Sequence, residues 1–451
     1  MKFQGVLGFG FIKMKIFVWS LGFALFLSAC SSQSSTEIPP IVEAHDTGKP
    51  VGGPKAYTVP SHAGPAAMAA LAVRHNPKVQ ALRYRMQRLD QKVPQVESLP
   101  DPMAKIAIGS LPETAAGKVD AVVGVSQKVP FPGKRRAASS AAAREAMAVQ
   151  AEAKAYELKL IEQVYSAWWD YYLSNVNIRI SSESKELLGV VEKTVEAQVA
   201  ASQGKQADQL RVANEITKLD RDIAQARRVE KTAKARLNAL LNRPAGAALP
   251  KVSQRMIESP GNLDALIAKA SVSHPEVISA AHKVEAFKHR LERARLEKYP
   301  DLTFGLQGAA VSSGGLAPSA NGSDQIFGTL GFNIPLWQKP RLAMIREAKA
   351  GIAETQALLT STQADLRYRI EDAYFRAKTA KEVAQLFSSR LIPDSKQAYE
   401  VTLTSYAAGE ESFINLIETW RQWLTYQLQY AQNRAQLGKA IATLQSAAGQ
   451  R

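Results

Sequence analysis

From Lys134 to Gln203 the sequence runs for about seventy residues with no proline and with Gly189 as its single glycine, entered from "KVDAVVGVSQKVPFPG". As one helix, at ~1.5 Å per residue, such a run is on the order of 100 Å long. A second run over residues 340–408, entered from "FNIPLWQK", reads as a helix of similar length in which Gly351 is isolated. Two such helices must bundle or supercoil rather than enter a compact globule. Leu158, Ile161, Tyr165, Trp168 and Tyr172 recur at three- and four-residue steps and supply an apolar stripe for that purpose. The alanine density from Ala137 to Ala155 suits close helix-to-helix approach.

The two runs belong to two copies of one plan. "RHNPKVQALRYRMQRL" from Arg74 answers "SHPEVISAAHKVEAFKHRL" from Ser273, and "LPDPMAKIAIG" from Leu99 answers "YPDLTFGLQG" from Tyr299. "VGVSQKVPFPGKRRA" answers "LGFNIPLWQKPRLA", "EQVYSAWWDYY" answers "EDAYFRAKTA", and Gly204 answers Gly409. Five landmarks in one order identify a tandem duplication, with copy one over residues 65–250 and copy two over 251–447. Each copy opens on a helix with proline in its first turn, Pro77 after Asn76 and Pro275 after Ser273-His274, where proline costs no hydrogen bond.

Strands follow at about 101–112 and 118–130 in copy one, and at about 301–312 and 324–335 in copy two. Leu302, Phe304 and Leu306 alternate with Thr303, Gly305 and Gln307, the period of a strand with two unlike faces. The long helices, about 134–203 and 340–408, end near Gly204 and Gly409, and return helices run to about Leu241 and Leu444. Strands of roughly ten residues match a tilted crossing of a bilayer. Four strands cannot close a barrel, and an open edge in lipid strands polar groups at several kcal/mol each. The strands therefore pair between chains, or the sheet lies in water; three chains giving about twelve strands is the smallest comfortable closed solution.

The N-terminus reads as an export signal. Lys13 and Lys15 precede the apolar run Ile16–Leu27 and then "LSAC", with either Met1 or Met14 as the start. That run is too short to span a bilayer as a helix. Cys30 is the sole cysteine, which excludes a disulfide frame or a cysteine zinc site. Leu-Ser-Ala-Cys resembles the bacterial lipobox, making residues 1–29 a lipoprotein signal, Cys30 the lipid attachment point and 30–64 a Ser/Pro/Gly-rich tether. Ser31 after the cysteine is similar to an outer-membrane address.

The net charge of +16 is spread among Glu and Asp along helical segments rather than clustered as a nucleic-acid stripe. His282 and His289 share a helix face, but no third ligand stands at binding spacing, so no metal site is read. No nucleophile elbow, phosphate-cradling glycine loop or His-Glu-His pattern is present, so neither enzyme chemistry nor a cofactor is expected.

The lipobox, the duplicated helix-strand-strand-long helix-helix plan, the "NP" opening and the "VPFPGKR" joint together resemble the TolC-like outer-membrane factors of bacterial efflux pumps. The "PFPGK" joint is most similar to the heavy-metal branch, CzcC-like and CusC-like. The resemblance covers about Pro65–Leu444. It implies a mainly α fold with a small β part: a homotrimer whose 12-stranded outer-membrane barrel continues into an α-helical periplasmic barrel. The expected partners are a periplasmic adaptor and an inner-membrane RND-type pump. The duct would be passive, with heavy-metal cations, drugs or secreted polypeptide as cargo. A periplasmic coiled-coil lipoprotein without a barrel is the alternative of another class.

On this resemblance Pro130, Pro132, Gly133 and Pro335 make the strand-to-helix corners, with Lys134, Arg135 and Arg136 at the water boundary facing lipid phosphate or water. Gly204, Gly409, Glu410 and Glu411 form the periplasmic tip where an adaptor docks. Tyr406, Asn415 and Glu418 are the gate or constriction residues. Asn415 stands where the family has a carboxylate, and copy one offers only Leu210 and Asp208 in return.

Overall fold

The computed structural model describes residues 57–60, 63–108, 113–202, 204–250 and 261–450. These lie in the second of two units, Pro54–Arg451, while Cys30 and the signal segment lie outside the described residues. Copy one comprises α1 (Pro65–His75), α2 (Pro77–Asp90), α3 (Lys92–Glu97), β1 (Met103–Ile108), β2 (Glu113–Thr114), β3 (Gly117–Val129), α4 (Lys134–Ala200) and α5 (Gln206–Leu240). Copy two comprises α6 (Leu263–Ser273), α7 (Pro275–Leu296), β4 (Leu302–Ser312), β5 (Gln325–Phe332), α8 (Gln338–Leu386), a π turn (Phe387–Leu391), α9 (Ile392–Ala407) and α10 (Phe413–Ala447).

Helix starts follow from local chemistry. The Asn76 side chain accepts from the Lys78 N–H at 2.9 Å, and Pro77 occupies the first helical turn. In copy two His274 is the cap, its Nδ1 accepting from the Glu276 N–H at 3.2 Å, while Ser273 closes the preceding helix. Helix α7 runs unbroken, but its copy-one counterpart breaks at Gln91, between α2 and α3. Pro94 explains the break, because it cannot donate to the carbonyl four residues earlier.

The expected long helix over 340–408 is not continuous. Pro393 removes one ladder bond, and the helix absorbs the loss in the π turn Phe387–Leu391 before resuming as α9. Ser389 Oγ donates back to the Gln385 carbonyl at 2.7 Å, occupying one of the displaced acceptors. Helix α4, without proline, is continuous for 67 residues.

The long strands form one antiparallel sheet in the order β1-β3-β4-β5, with the short β2 paired to β3 off this path. Both hairpins share one register. Met103 faces Ser126 in copy one, and Thr303 faces Gly331 in copy two. Cross-strand rows alternate in character: Ile106–Val123–Gly308–Ile326 is apolar, while Met103–Ser126–Gly305–Thr329 is more polar. The apolar rows are exposed, with Ile106 at 67 % and Leu330 at 65 %, so this face has no cover among the described residues. β1 and β5 are the sheet's edges.

The core is helical and also repeats. Around α4, Trp168, Trp169, Tyr171 and Tyr172 pack with Met68, Val79, Leu237 and Leu241. The copy-two counterpart gathers Leu266, Val277, Leu366, Ile370 and Leu444. At roughly 1.5–3 kcal/mol per buried large apolar side chain, these clusters carry the helices that propensity alone would leave marginal. Helices α4 and α10 approach closely at Gly438, where an added methyl would overlap the Trp169 ring.

Candidate functional site

Two places concentrate polar chemistry, the strand-to-helix corner and the end where the long helices turn. At the corner, Pro130, Phe131 and Pro132 leave the ladder after Val129. Gly133 then takes φ +93°, a left-handed conformation that caps α4. Pro335 occupies the matching bend in copy two, but α8 there begins at Gln338 with Trp337 as an ordinary extended cap. The two corners therefore share prolines and not the left-handed residue.

Lys134 is buried and does not face lipid phosphate or water. Its ammonium meets Asp301 Oδ1 at 2.8 Å and Glu297 Oε2 at 3.2 Å, and donates to the Tyr299 carbonyl at 3.0 Å. Asp301 also accepts from the Phe131 N–H at 3.0 Å and pairs with Lys128 at 3.1 Å. Phe131 stacks on Tyr299 with centroids 4.4 Å apart. The corner of copy one is thereby locked to the start of β4 in copy two. Arg135 donates to the Glu97 carbonyl at 2.7 Å, and Arg341 donates to the Glu297 carbonyl at 3.0 Å. Each copy thus satisfies the C-terminus of the helix preceding its strands with an arginine from its long helix.

At the other end the two turns lie together. Gln198 of α4 donates through Nε2 to the Tyr406 carbonyl at 3.1 Å. Gly409 has φ +81°, with its N–H on the Tyr406 carbonyl and the Glu410 N–H on the Ser405 carbonyl, a Schellman-type ending. Gly204 differs from the expected equivalence: the left-handed residue of the first turn is Ser202, at φ 60°. Gly204 is instead a close approach, since an added Cβ would lie 3.0 Å from the Val199 nitrogen.

Tyr406 is buried and packs edge-on against Phe413 at 5.9 Å. Burial, with the charge of Asp208, pushes its phenol above the ordinary value. Asn415 is exposed and donates to Glu411 Oε1 at 2.8 Å, while Ser412 caps α10 through the Asn415 N–H. The Ser412 N–H and then the Asn415 amide hold Glu411 below the usual carboxylate range. Glu410 and Glu418 are exposed, and Glu418 lies within electrostatic reach of Arg421. Leu210 is exposed, whereas Asp208 is buried and pairs with Arg211 at 3.1 Å.

Sequence reasoning missed Glu215. It is buried, pairs with Lys218 at 2.7 Å and accepts from Arg421, linking the two return helices α5 and α10. Burial alone would raise its pKa, but hydrogen bonds from Arg421 and Lys218 outweigh that and hold it low. The available signal is the repeat itself, since the two residues occupy neighbouring positions of the two copies. Tyr399, Leu416, Ile417 and Trp420 complete an apolar plug beneath the turns.

Among the described residues no group of three His, Asp or Glu side chains could hold a metal ion. His289 faces Glu292 at 3.4 Å, and His282 lies beside Arg144. No described helix is long and apolar enough to cross a membrane.

Residues 266–450 match the model of the outer membrane efflux protein family. The chain is 21 % identical over 401 residues to the cobalt-zinc-cadmium resistance protein CzcC of Cupriavidus metallidurans, covering 85 % of this chain and 90 % of that one. Its fold is that of the outer-membrane channel OprN, with TM-score 0.71, 16 % identity and 86 % and 90 % of the two chains covered. It is also that of CusC, with TM-score 0.72, 14 % identity and coverages of 86 % and 92 %. The open MtrE outer-membrane channel of Neisseria gonorrhoeae superposes at TM-score 0.71 with 17 % identity, covering 86 % and 89 %. The resemblance to TolC-like channels thus extends over both copies.

Proposed function

We propose that three copies of this efflux-protein relative form a passive exit duct in the outer membrane of a Gram-negative bacterium. The observation that carries the reading is the sheet. Among the described residues it has two free edges and one exposed apolar face, with Ile106, Val123, Leu306, Leu330 and Phe332 on it. Along β1 and β5 about a dozen backbone groups would be unpaired, which in lipid costs on the order of tens of kcal/mol. Three sheets of four long strands, about twelve in all, remove every edge.

In this reading the long helices form the periplasmic tunnel, and the turns at Gly204 and Gly409 meet an adaptor protein. An inner-membrane pump supplies the energy, and the chain itself catalyses nothing. Residues 1–29 would be removed and Cys30 acylated, with residues 30–64 tethering the anchor. Tyr406, Asn415, Glu418, Glu410 and Glu411 would lie at the constricted entrance. Carboxylate rings there favour cations, and likeness to the cobalt-zinc-cadmium resistance protein points to heavy-metal cations as cargo.

One observation favours a second cargo. The more polar face of the sheet carries Lys105, which has no ion-pair partner among the described residues. Three such lysines would line the barrel, suiting anionic drugs or anionic metal complexes better than free cations.

A deletion strain grown on copper, silver, zinc, cobalt and nickel beside dyes, detergents and antibiotics tests cargo. Sensitivity to metals alone, restored by the gene, supports metal efflux; sensitivity to dyes and antibiotics replaces that cargo and leaves the duct. A soluble monomer after removal of Cys30 and its signal, with no heat-sensitive trimer band in outer membranes, refutes the duct itself.

A further inference from the structure

The duplication supplies a template for the contact that one chain cannot show. From Asp101 to Asp301 the copies are offset by 200 residues, and from Pro130 to Pro335 by 205. These two offsets carry the pair Ile108–Ala121 onto Gly308–Ile326, so the hairpins are equivalent in register and not only in sequence. The β3–β4 junction between copies is therefore a worked example of how the second strand of one hairpin meets the first strand of the next. Applied to β5, the same offsets replace β4 by β1 of another copy.

We infer that β5 pairs with β1 of a second copy of this chain in one register, Leu330 opposite Ile106 and Phe332 opposite Ala104, with Lys339 on Asp101 at the corner. This rests on the proposed duct and adds which residues meet. The templates are Val125–Leu306 and Gln127–Phe304 in the sheet, and Lys134–Asp301 at the corner. The remaining corner contacts translate as well. Lys134 on Glu297 becomes Lys339 on Glu97, and the Phe131–Tyr299 stack becomes Leu336 on Leu99. Lys339 and Asp101 are exposed with no ion pair among the described residues, and Leu336 is 71 % exposed. Lys339 is the second residue of its helix where Lys134 is the first, a difference its flexible four-carbon stem spans.

Barrel geometry gives independent support. Ile106 is level with Val123 and so with Gly308, whose copy-one counterpart is Ile108, a climb of two residues per hairpin. If all six hairpins of a trimer climb equally, strand rise and spacing give a tilt of about 35°, at the edge of the ordinary range for closed barrels. The internal junction thus has the shear that a six-hairpin barrel needs.

Two cysteine pairs test the register. Leu330→Cys with Ile106→Cys places thiols on opposed residues, whereas Leu330→Cys with Ile108→Cys places them on a diagonal too wide for a disulfide. Native Cys30 is common to both, and all three positions are exposed. Oxidation in isolated outer membranes should give a heat-stable covalent ladder of dimer and trimer with the first pair and none with the second. At the corner, Asp101→Lys and Lys339→Asp should each lower the temperature at which the trimer band dissociates, and the double exchange should restore it. A ladder from the diagonal pair, or from neither pair while the native trimer band is present, overturns the register and leaves the duct standing. Additive losses in the double exchange overturn the ion pair. Absence of any trimer band from the unaltered protein overturns both this pairing and the duct.

Discussion

Replacing Gly438 by alanine should damage the protein in a way that reverses when Trp169 is also cut back. An added methyl at 438 would overlap Cε2, Nε1 and Cζ2 of the Trp169 indole, far inside the ~3.5–4.0 Å of an ordinary carbon contact. The ring has nowhere to go: it is 5 % exposed and held edge-on by Trp168 at 4.8 Å and Tyr172 at 5.1 Å. Relief requires α4 and α10 to separate locally, placing the cost near the top of the overpacking range, about 3 kcal/mol. Against that, alanine is about 1 kcal/mol better than glycine inside a helix. The net expectation for Gly438→Ala is a loss of about 2 kcal/mol. In a Trp169→Ala background the clash is gone and only the helix preference remains, so the same change should gain up to about 1 kcal/mol. Thermal unfolding followed by helical circular dichroism, with all four proteins at one scan rate, reads both signs. A Gly438→Ala protein as stable as the parent, or one that loses equally in both backgrounds, would refute the reasoning.

Arg421→Ala leaves buried Glu215 with Lys218 as its remaining cation among the described residues, at a local cost of about 1–3 kcal/mol; in the proposed duct, where this pair ties the two return helices below the turns, single-channel conductance should show more frequent openings, and Glu215→Gln should do the same. His274 is held below its ordinary 6.5 by burial, its Nδ1 committed as an acceptor. Because protons then bind the unfolded chain first, stability should be full above that value and decline as pH falls from it toward the lower folded pKa. Melting curves between about pH 5 and 8 should show this decline, and His274→Asn, which keeps a cap acceptor, should flatten it. Ser202→Gly, which relieves a left-handed residue, should stabilise by about 1 kcal/mol in the same melts, whereas Gly409→Ala should cost about 1–2 kcal/mol.

Much of the architecture is local and so legible in the sequence. Proline after Asn76 and His274 marks two helix starts, alternation in 302–306 marks a strand face, and the paired landmarks reveal the repeat. What escapes is either long-range or masked by neighbouring periodicity. Lys134 reads as a solvated first-turn lysine because its partner Asp301 is 167 residues away. Glu215 and Arg421 look like surface charges until α5 and α10 are seen side by side. Pro393 stands in the sequence, but good helix formers on both sides of it carry the period across the break. Gly204 and Gly409 match in position and not in conformation, since Ser202 takes the left-handed place in copy one.

The two arms leading to the turns differ in stiffness. Helix α4 keeps its ladder intact all the way to Ala200, so a load applied at its end is spread as gentle curvature over the whole length. The arm of copy two has a joint at Phe387–Leu391, where displaced hydrogen bonds offer less resistance to bending, and only sixteen residues of α9 lie beyond it. A sideways push at the turns therefore moves α9 as a short lever about that joint while α4 acts as the strut. The two arms follow one plan, and a single proline in one of them has made a hinge and a post.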